Sequence, residues 1–300
     1  MRTFLELTRR NLKVFFKDKG MFFTSLITPI ILLVLYATFL ANVYKDSFLS
    51  ALPEGFSLDE KIIDGTVGGQ LIASLLAVSC ITVAFCSNML MINDRANGTI
   101  KDLLVTPLKR PLLAFSYYLA SALSTLIVTF TAGAVSLIYL AIKDCWYLNA
   151  NDVLCLALDI FLLTMFGTAL SSCIHFFLST SGQASAVGTI ISAGYGFICG
   201  AYMPISSFST GLQKVLSFLP GTYGTSLIKN HMLRSVFEEM KTAGIPEQAI
   251  EGMKKGIDCK IKFFDTYVSL KAMYLYVALS VVVLTAAFVM LNLINRKKKA

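Results

Sequence analysis

Residues that carry out chemistry are scarce in this chain. Its 300 residues include two histidines and one tryptophan, and only 15% are charged. No Gly-x-x-x-x-Gly-Lys-Ser/Thr run occurs, which excludes a phosphate-cradling loop of that type. If the protein uses ATP, a different chain binds it. His-Glu-x-x-His, Cys-x-x-Cys and Gly-x-Ser-x-Gly are also missing, which removes the usual signatures of zinc, dithiol and serine-nucleophile chemistry. His175 falls near the inner end of an apolar run and His231 in a polar stretch expected outside. Placed on opposite sides of a membrane, they cannot share a metal. The sequence therefore marks no catalytic residue, no metal site and no cofactor site. The seven cysteines lack metal spacing. Cys80, Cys86, Cys155, Cys173 and Cys199 lie in apolar runs and read as small buried hydrophobes. Cys145 and Cys259 fall in two expected outside loops, which leaves a disulfide open if that side is oxidising.

Hydrophobic residues make up 56% of the chain, and its mean hydropathy is +0.70. This is the composition of an all-α polytopic membrane protein. A net charge of +8 could suggest nucleic acid, but the cations cluster beside the apolar runs, as membrane topology requires. Six transmembrane helices can be drawn, at about 22–42, 66–91, 112–142, 153–178, 184–203 and 273–294. Each is long enough for a hydrocarbon core about 30 Å thick. Residues 1–20 carry Arg2, Arg9, Arg10, Lys13, Lys17 and Lys19. The 92–111 loop carries Arg95, Lys101, Lys109 and Arg110, and the tail carries Arg296 with three lysines. The 43–65 and 143–152 loops are acidic by comparison. Both termini and the 92–111 loop are therefore expected in the cytoplasm, with the extracellular segment, about 204–272, on the other side. No cleavable signal is evident. Thr8-Arg9-Arg10-Asn11-Leu12-Lys13 only loosely resembles a twin-arginine signal, because the following apolar run is too long.

Several features stand out against that frame. Residues 1–20 read as an amphipathic connecting helix on the inner membrane surface, with Phe4, Leu5, Leu12, Phe15 and Phe16 on one face and the cations on the other. Residues 21–300 form the six-span domain. Gly188, Ser192, Gly196 and Gly200 recur every fourth residue. This small face suits close helix packing within the chain, against a second copy, or along a pathway. Asp159 is the one acid well inside a drawn span, suited to structural pairing or to a pathway. Between Pro204 and Pro220 the chain is apolar but too short to span, which fits a re-entrant or interfacial helix pair. Residues 229–270 read as a more polar outside insert.

Residues 93–107 lie between spans two and three. They predict a charged amphipathic helix just off the bilayer, with Ile100, Leu103 and Leu104 on one side and Lys101 and Asp102 on the other. That apolar face is expected to be covered by a partner protein. Asp94, Gly98, Thr99, Leu103, Leu104, Thr106 and Pro107 stand where the coupling helix of ABC-2 type exporters carries its acid, Gly-Thr, Leu-Leu and Thr-Pro positions. The second acid of that pattern is Ala96 here. Leu219-Pro220-Gly221-Thr222-Tyr223 is similar to the family's later Pro-x-x-Tyr element, with Arg234 as its following basic residue.

Nearly the whole chain resembles the membrane subunit of such exporters. The resemblance implies a multi-pass permease in the plasma membrane, with a cytoplasmic coupling helix at about 94–107 and short extracellular helices before the last span. The coupling role would fall on Asp94, Gly98, Thr99, Ile100, Leu103, Leu104, Thr106 and Pro107. It implies an ABC ATPase partner that binds ATP and Mg, a second permease copy or a paralogue, membrane lipids around the spans, and no nucleic acid. The substrate would be a drug, lipid, peptide or glycan moved outward. The alternative reading is an ATP-independent membrane transporter or channel.

Overall fold

Asp18 separates the first two helices of the chain. Its carboxylate accepts a hydrogen bond from Met21 N at 3.1 Å, closing off α1 (Arg2–Lys17) and opening α2 (Lys19–Leu35). The computed structural model describes residues 2–50, 59–106, 108–264 and 266–297. α2 runs through a π-turn (Tyr36–Leu40) into α3 (Ala41–Ser50). Part of the expected 43–65 loop is therefore helix, because nothing in Ala41–Ser50 breaks one. Residues 51–58 lie outside the described residues.

Next come α4 (Glu60–Ala96), α5 (Thr99–Val105), α6 (Arg110–Ile142), α7 (Ala150–Phe176) and α8 (Ser181–Ile198). A 3-10 turn (Ile205–Ser207) and α9 (Thr210–Leu216) follow, then α10 (Pro220–Thr242) and α11 (Glu247–Gly256). A two-stranded hairpin, β1 (Lys262–Phe263) with β2 (Thr266–Tyr267), pairs Lys262 with Tyr267 and Phe263 with Thr266. α12 (Leu270–Lys297) ends the described chain.

α4 is the axis of the bundle. Its 37 residues lack proline, and its start is capped by Asp59, whose side chain accepts from Lys61 N. At about 1.5 Å per residue it is about 55 Å long, more than a bilayer core needs. Its apolar stretch is 89% buried, against 18% for α2 and 11% for α12. α6, α7, α8, α10 and α2 pack around it. Five helices of membrane-crossing length and apolarity are present among the described residues: Lys19–Leu40, Glu60–Ala96, Arg110–Ile142, Ala150–Phe176 and Leu270–Ile294. Apart from one small hairpin among the described residues, the molecule is an all-helical, multi-pass membrane protein. α8, in the place of the expected fifth span, has 18 residues. Its glycines and serines dilute its apolarity.

The expected 229–270 insert begins inside a longer element. Residues 220–242 form one helix packed against α4, α7 and α12. Its polar residues disguise it, because many of them are buried: Thr222, Thr225, Ser226, Lys229, His231 and Ser235. Taking an ammonium out of water costs several kcal/mol unless it is repaired. Lys229 Nζ donates to Gly200 O at 2.7 Å and to Ile257 O at 3.0 Å, with Asp258 Oδ2 at 4.0 Å. Burial holds Asp258 above its ordinary pKa, and its Oδ2 accepts from Ile205 N at 2.8 Å. Gly200, at φ 75°, makes the turn after α8 that brings its carbonyl to this lysine. The same packing settles the cysteines. Cys145 and Cys259 are both free and buried, with no disulfide between them, and burial pushes the Cys259 thiol up to about 12.

Candidate coupling site

α4 ends in Asn93-Asp94-Arg95-Ala96, and three of these four residues tie α4 to different elements. Asn93 Oδ1 accepts from Ser181 Oγ at 2.9 Å, at the start of α8. Arg95 donates to Phe176 O at 3.2 Å and also to Leu178 O, at the C-terminal end of α7. A cation there meets carbonyls the helix leaves unpaired. Asp94 is buried and is held by Arg10 from α1 and Tyr117 from α6. Arg10 pairs with Asp94 Oδ2, its Nη2 reaches Oδ1 at 3.3 Å, and Tyr117 OH donates to Oδ2 at 2.5 Å. The hydrogen bond with Asp94 holds the Arg10 guanidinium above its ordinary pKa. Asn11, fully buried, donates to Ser116 Oγ at 3.4 Å and accepts from Arg10 Nη1 at 3.0 Å. Arg10, Asn11 and Tyr117 were not candidates from sequence. A buried Asn at the centre of α1's inward stripe was the available signal.

The amphipathic face expected of α1 splits in two. Phe15 is buried and Phe4 stacks on Phe115 at 5.6 Å, so these two turn toward the protein beside Leu7 and Asn11. Leu5 and Phe16 remain exposed, on the side where a membrane surface would lie.

The 93–107 segment also divides differently from expectation. Asp94 belongs to α4, and the separate helix is only Thr99–Val105. Gly98 joins them at φ 83°, a left-handed conformation that glycine adopts without strain. Gly98 O accepts from Lys101 N at 2.8 Å, starting α5 with Thr99 as its first residue. Ile100, Leu103 and Leu104 pack against the cluster of Leu7, Leu90, Met91, Leu113 and Tyr117. The apolar face expected to await a partner is thus partly covered by the chain's own cluster of α1, α4 and α6 residues. The open face carries Lys101, Asp102, Val105 and Thr106, with Val105 87% exposed. Thr106 Oγ1 donates to Leu103 O at 2.6 Å. Pro107 lies outside the described residues.

The other candidates are dispersed. Asp159 is buried in α7, 2.6 Å from His231 Nδ1 on α10 and 2.6 Å from Tyr274 OH on α12. It joins three helices, the structural pairing that was one of its expected roles, and His231 belongs to the packed bundle rather than to a loop. Two turns before Asp159, Asp152 caps α7 through Asn149 N, accepts from Ser235 Oγ at 2.6 Å and pairs with Arg234 at 2.5 Å. The small-residue face does not act as a unit. A methyl group at Gly188 would meet nothing within 4 Å, whereas one at Gly196 would strike the Tyr202 ring at 2.2 Å. Ser192 lines a cleft of about 370 Å³ between α2 and α8, over α4. Gly200 is past the end of α8.

Comparison with known proteins agrees with this arrangement. Residues 2–233 match the family described as ABC-2 type transporter, a match that begins in α1 and ends within α10. No curated protein matches the chain significantly. With most of its length matched, from α1 through α4, α5 and the helices around them, the chain belongs to the ABC-2 type transporter family, as a transport permease.

Proposed function

We propose that this chain is the membrane-spanning subunit of an ATP-driven exporter, and that a separate ABC ATPase docks on the open face of α5. The observation that carries this reading is the joint at the end of α4. Asn93, Asp94 and Arg95 bind α8, α1 with α6, and α7 respectively. A displacement of α5, anchored to α1 and α6 by Ile100, Leu103 and Leu104, reaches the whole bundle through stiff contacts. Coupling between sites requires an element both sites bias, and this joint can serve.

In this reading Asp94, Gly98, Thr99, Ile100, Leu103, Leu104, Thr106 and Pro107 shape and hold the coupling element, while Lys101, Asp102 and Val105 meet the ATPase. The partner holds ATP and Mg. The protein sits in the plasma membrane with both termini cytoplasmic, and α8 is the fifth of its six spans. A second copy or a paralogue faces α2 and α8, whose outer faces expose Ile27, Ile31, Ile190 and Phe197. Gly188 and Ser192 allow that approach, whereas Gly196 packs against the chain's own Tyr202. Gly200 and Asp159 act at the other end of the bundle, as a turn and a joint. The cargo is a drug, lipid, peptide or glycan leaving the cell.

The decisive experiment is copurification of the tagged chain with a protein that hydrolyses ATP, followed by transport with that ATPase inactivated. Transport that continues without hydrolysis would sink the proposal and favour the ATP-independent transporter or channel.

A further inference from the structure

The far end of the bundle from α5 carries three phenylalanines that a solvated surface does not explain. Phe218, Phe263 and Phe264 contact one another, with ring centroids 5.2, 5.9 and 5.0 Å apart, and all three are exposed. They are held at a defined height. Phe218 O accepts from Tyr276 OH at 2.7 Å, and Tyr276 is six residues into α12. That places the cluster beside the first two turns of a span, about 9 Å along it. Leu275 and Leu279 on the same turns are 71% and 56% exposed, as lipid-facing residues are. Aromatic rings at this level mark a membrane interface.

Next to the rings is a cavity of about 350 Å³ lined by Lys214, Lys255, Lys260, Lys262, Phe264 and Tyr267 among others. Lys260 is engaged by Glu251. Lys214, Lys255 and Lys262 form no ion pair among the described residues. They lie over aromatic faces instead: Lys214 at 5.6 Å from the Phe264 centroid, and Lys255 and Lys262 at 5.4 and 5.1 Å from that of Tyr267. The one carboxylate on the cavity wall among the described residues, Asp258, is buried and turned toward Ile205 N and Lys229. Asp265 lies outside the described residues. The wall thus sets cations beside aromatic rings, which matches a phosphate headgroup next to acyl chains.

We propose that this pocket binds the headgroup of an anionic phospholipid in the adjacent leaflet, with Phe218, Phe263 and Phe264 among its acyl chains. The lipid clamps the hairpin and α9 against α12. The assignment to the outer leaflet rests on the topology proposed above, while the binding itself does not.

The test is native mass spectrometry of the detergent-purified full chain, titrated with phosphatidylglycerol, phosphatidylcholine or inorganic phosphate. Phosphatidylglycerol is expected to remain bound at the higher occupancy. Lys214→Gln, Lys255→Gln and Lys262→Gln together should lower its affinity at least fivefold, since each lysine near a headgroup contributes about fivefold, and should leave phosphatidylcholine unchanged. The triple Lys→Arg variant should retain binding. Equal binding of both lipids, an unaffected triple Gln variant, or competition by inorganic phosphate at the same concentration as lipid would each overturn the proposal. Labelling of Glu247→Cys by a membrane-impermeant maleimide on intact cells reads the side of the membrane separately. A failure there corrects the leaflet and leaves the pocket standing.

Discussion

Asp94 shows how one carboxylate can hold three helices together. Its oxygens accept from Arg10 and from Tyr117 OH, and hydrogen bonds to charged groups contribute about 1.5–3 kcal/mol each. Arg10 is 34% exposed, so solvent screening reduces its share. Asp94→Asn is expected to lower thermal stability by about 2 kcal/mol and to abolish transport, while Tyr117→Phe costs about 1 kcal/mol. Thermal melts in one detergent measure both, and equal effects would mean the phenol carries the joint. A second residue-scale expectation separates two glycines of α8. Gly196→Ala drives a methyl into Tyr202 and should cost about 1–3 kcal/mol, recovered in part by Tyr202→Leu. Gly188→Ala meets open space and should change stability by less than about 1 kcal/mol. Matching losses at both positions would restore the continuous small face that the four-residue spacing suggests.

At the scale of the element, α5 is informative because its two faces do different work. Leu103 and Leu104 pack inward, whereas Val105 and Lys101 point away from the chain. Val105→Asp and Lys101→Glu are expected to weaken ATPase copurification by about tenfold or more, as loss of an interface hot spot does, with an unchanged melting temperature. Leu103→Asp should lower both. If Val105→Asp left the association intact, docking would have to use another cytoplasmic surface. The face of a seven-residue helix that points inward cannot be decided from its own pattern. Ile100, Leu103 and Leu104 form an apolar stripe whichever body covers them, and only the position of α1 shows that the chain does. α10 failed to be recognised for the opposite reason. Lys229, His231 and Ser235 look like surface residues until Gly200, Asp159 and Asp152 are seen to meet them.

The whole molecule is a bundle around α4 with unequal protection of its outer helices. α12 and α2 are the least buried spans. α12 has the uniform apolar surface of a lipid-facing helix, with Leu275, Val282 and Val283 exposed. α2 and α8 instead flank a largely apolar cleft of about 370 Å³, on the side where a second permease would complete the path. A photo-crosslinking amino acid at Ile190 of α8 is expected to give a covalent dimer in membranes, and the same group at Val283 of α12 to capture lipid alone. A species of unequal mass from Ile190 would identify a paralogue, and lipid capture at both sites would remove the α2–α8 face as an interface.

Length and apolarity read along the chain were enough for the membrane class, since a run of about 20 apolar residues cannot be satisfied in water. The flanking cations supplied an expected orientation, whereas Gly98 stood out only by its place in the family's Gly-Thr pattern, and its left-handed backbone came with the structure. Partnerships between residues far apart in sequence could not be read this way. Arg10 with Asp94, Asp159 with His231 and Tyr274, and Lys229 with Gly200 are polar groups whose burial is tolerable only because each finds a partner from another helix. A polar residue in isolation looks the same whether solvent or a distant side chain will satisfy it. Tertiary packing therefore decided which polar residues are joints, which face of α5 stays open, and that Phe218, Phe263 and Phe264 come together at the far end.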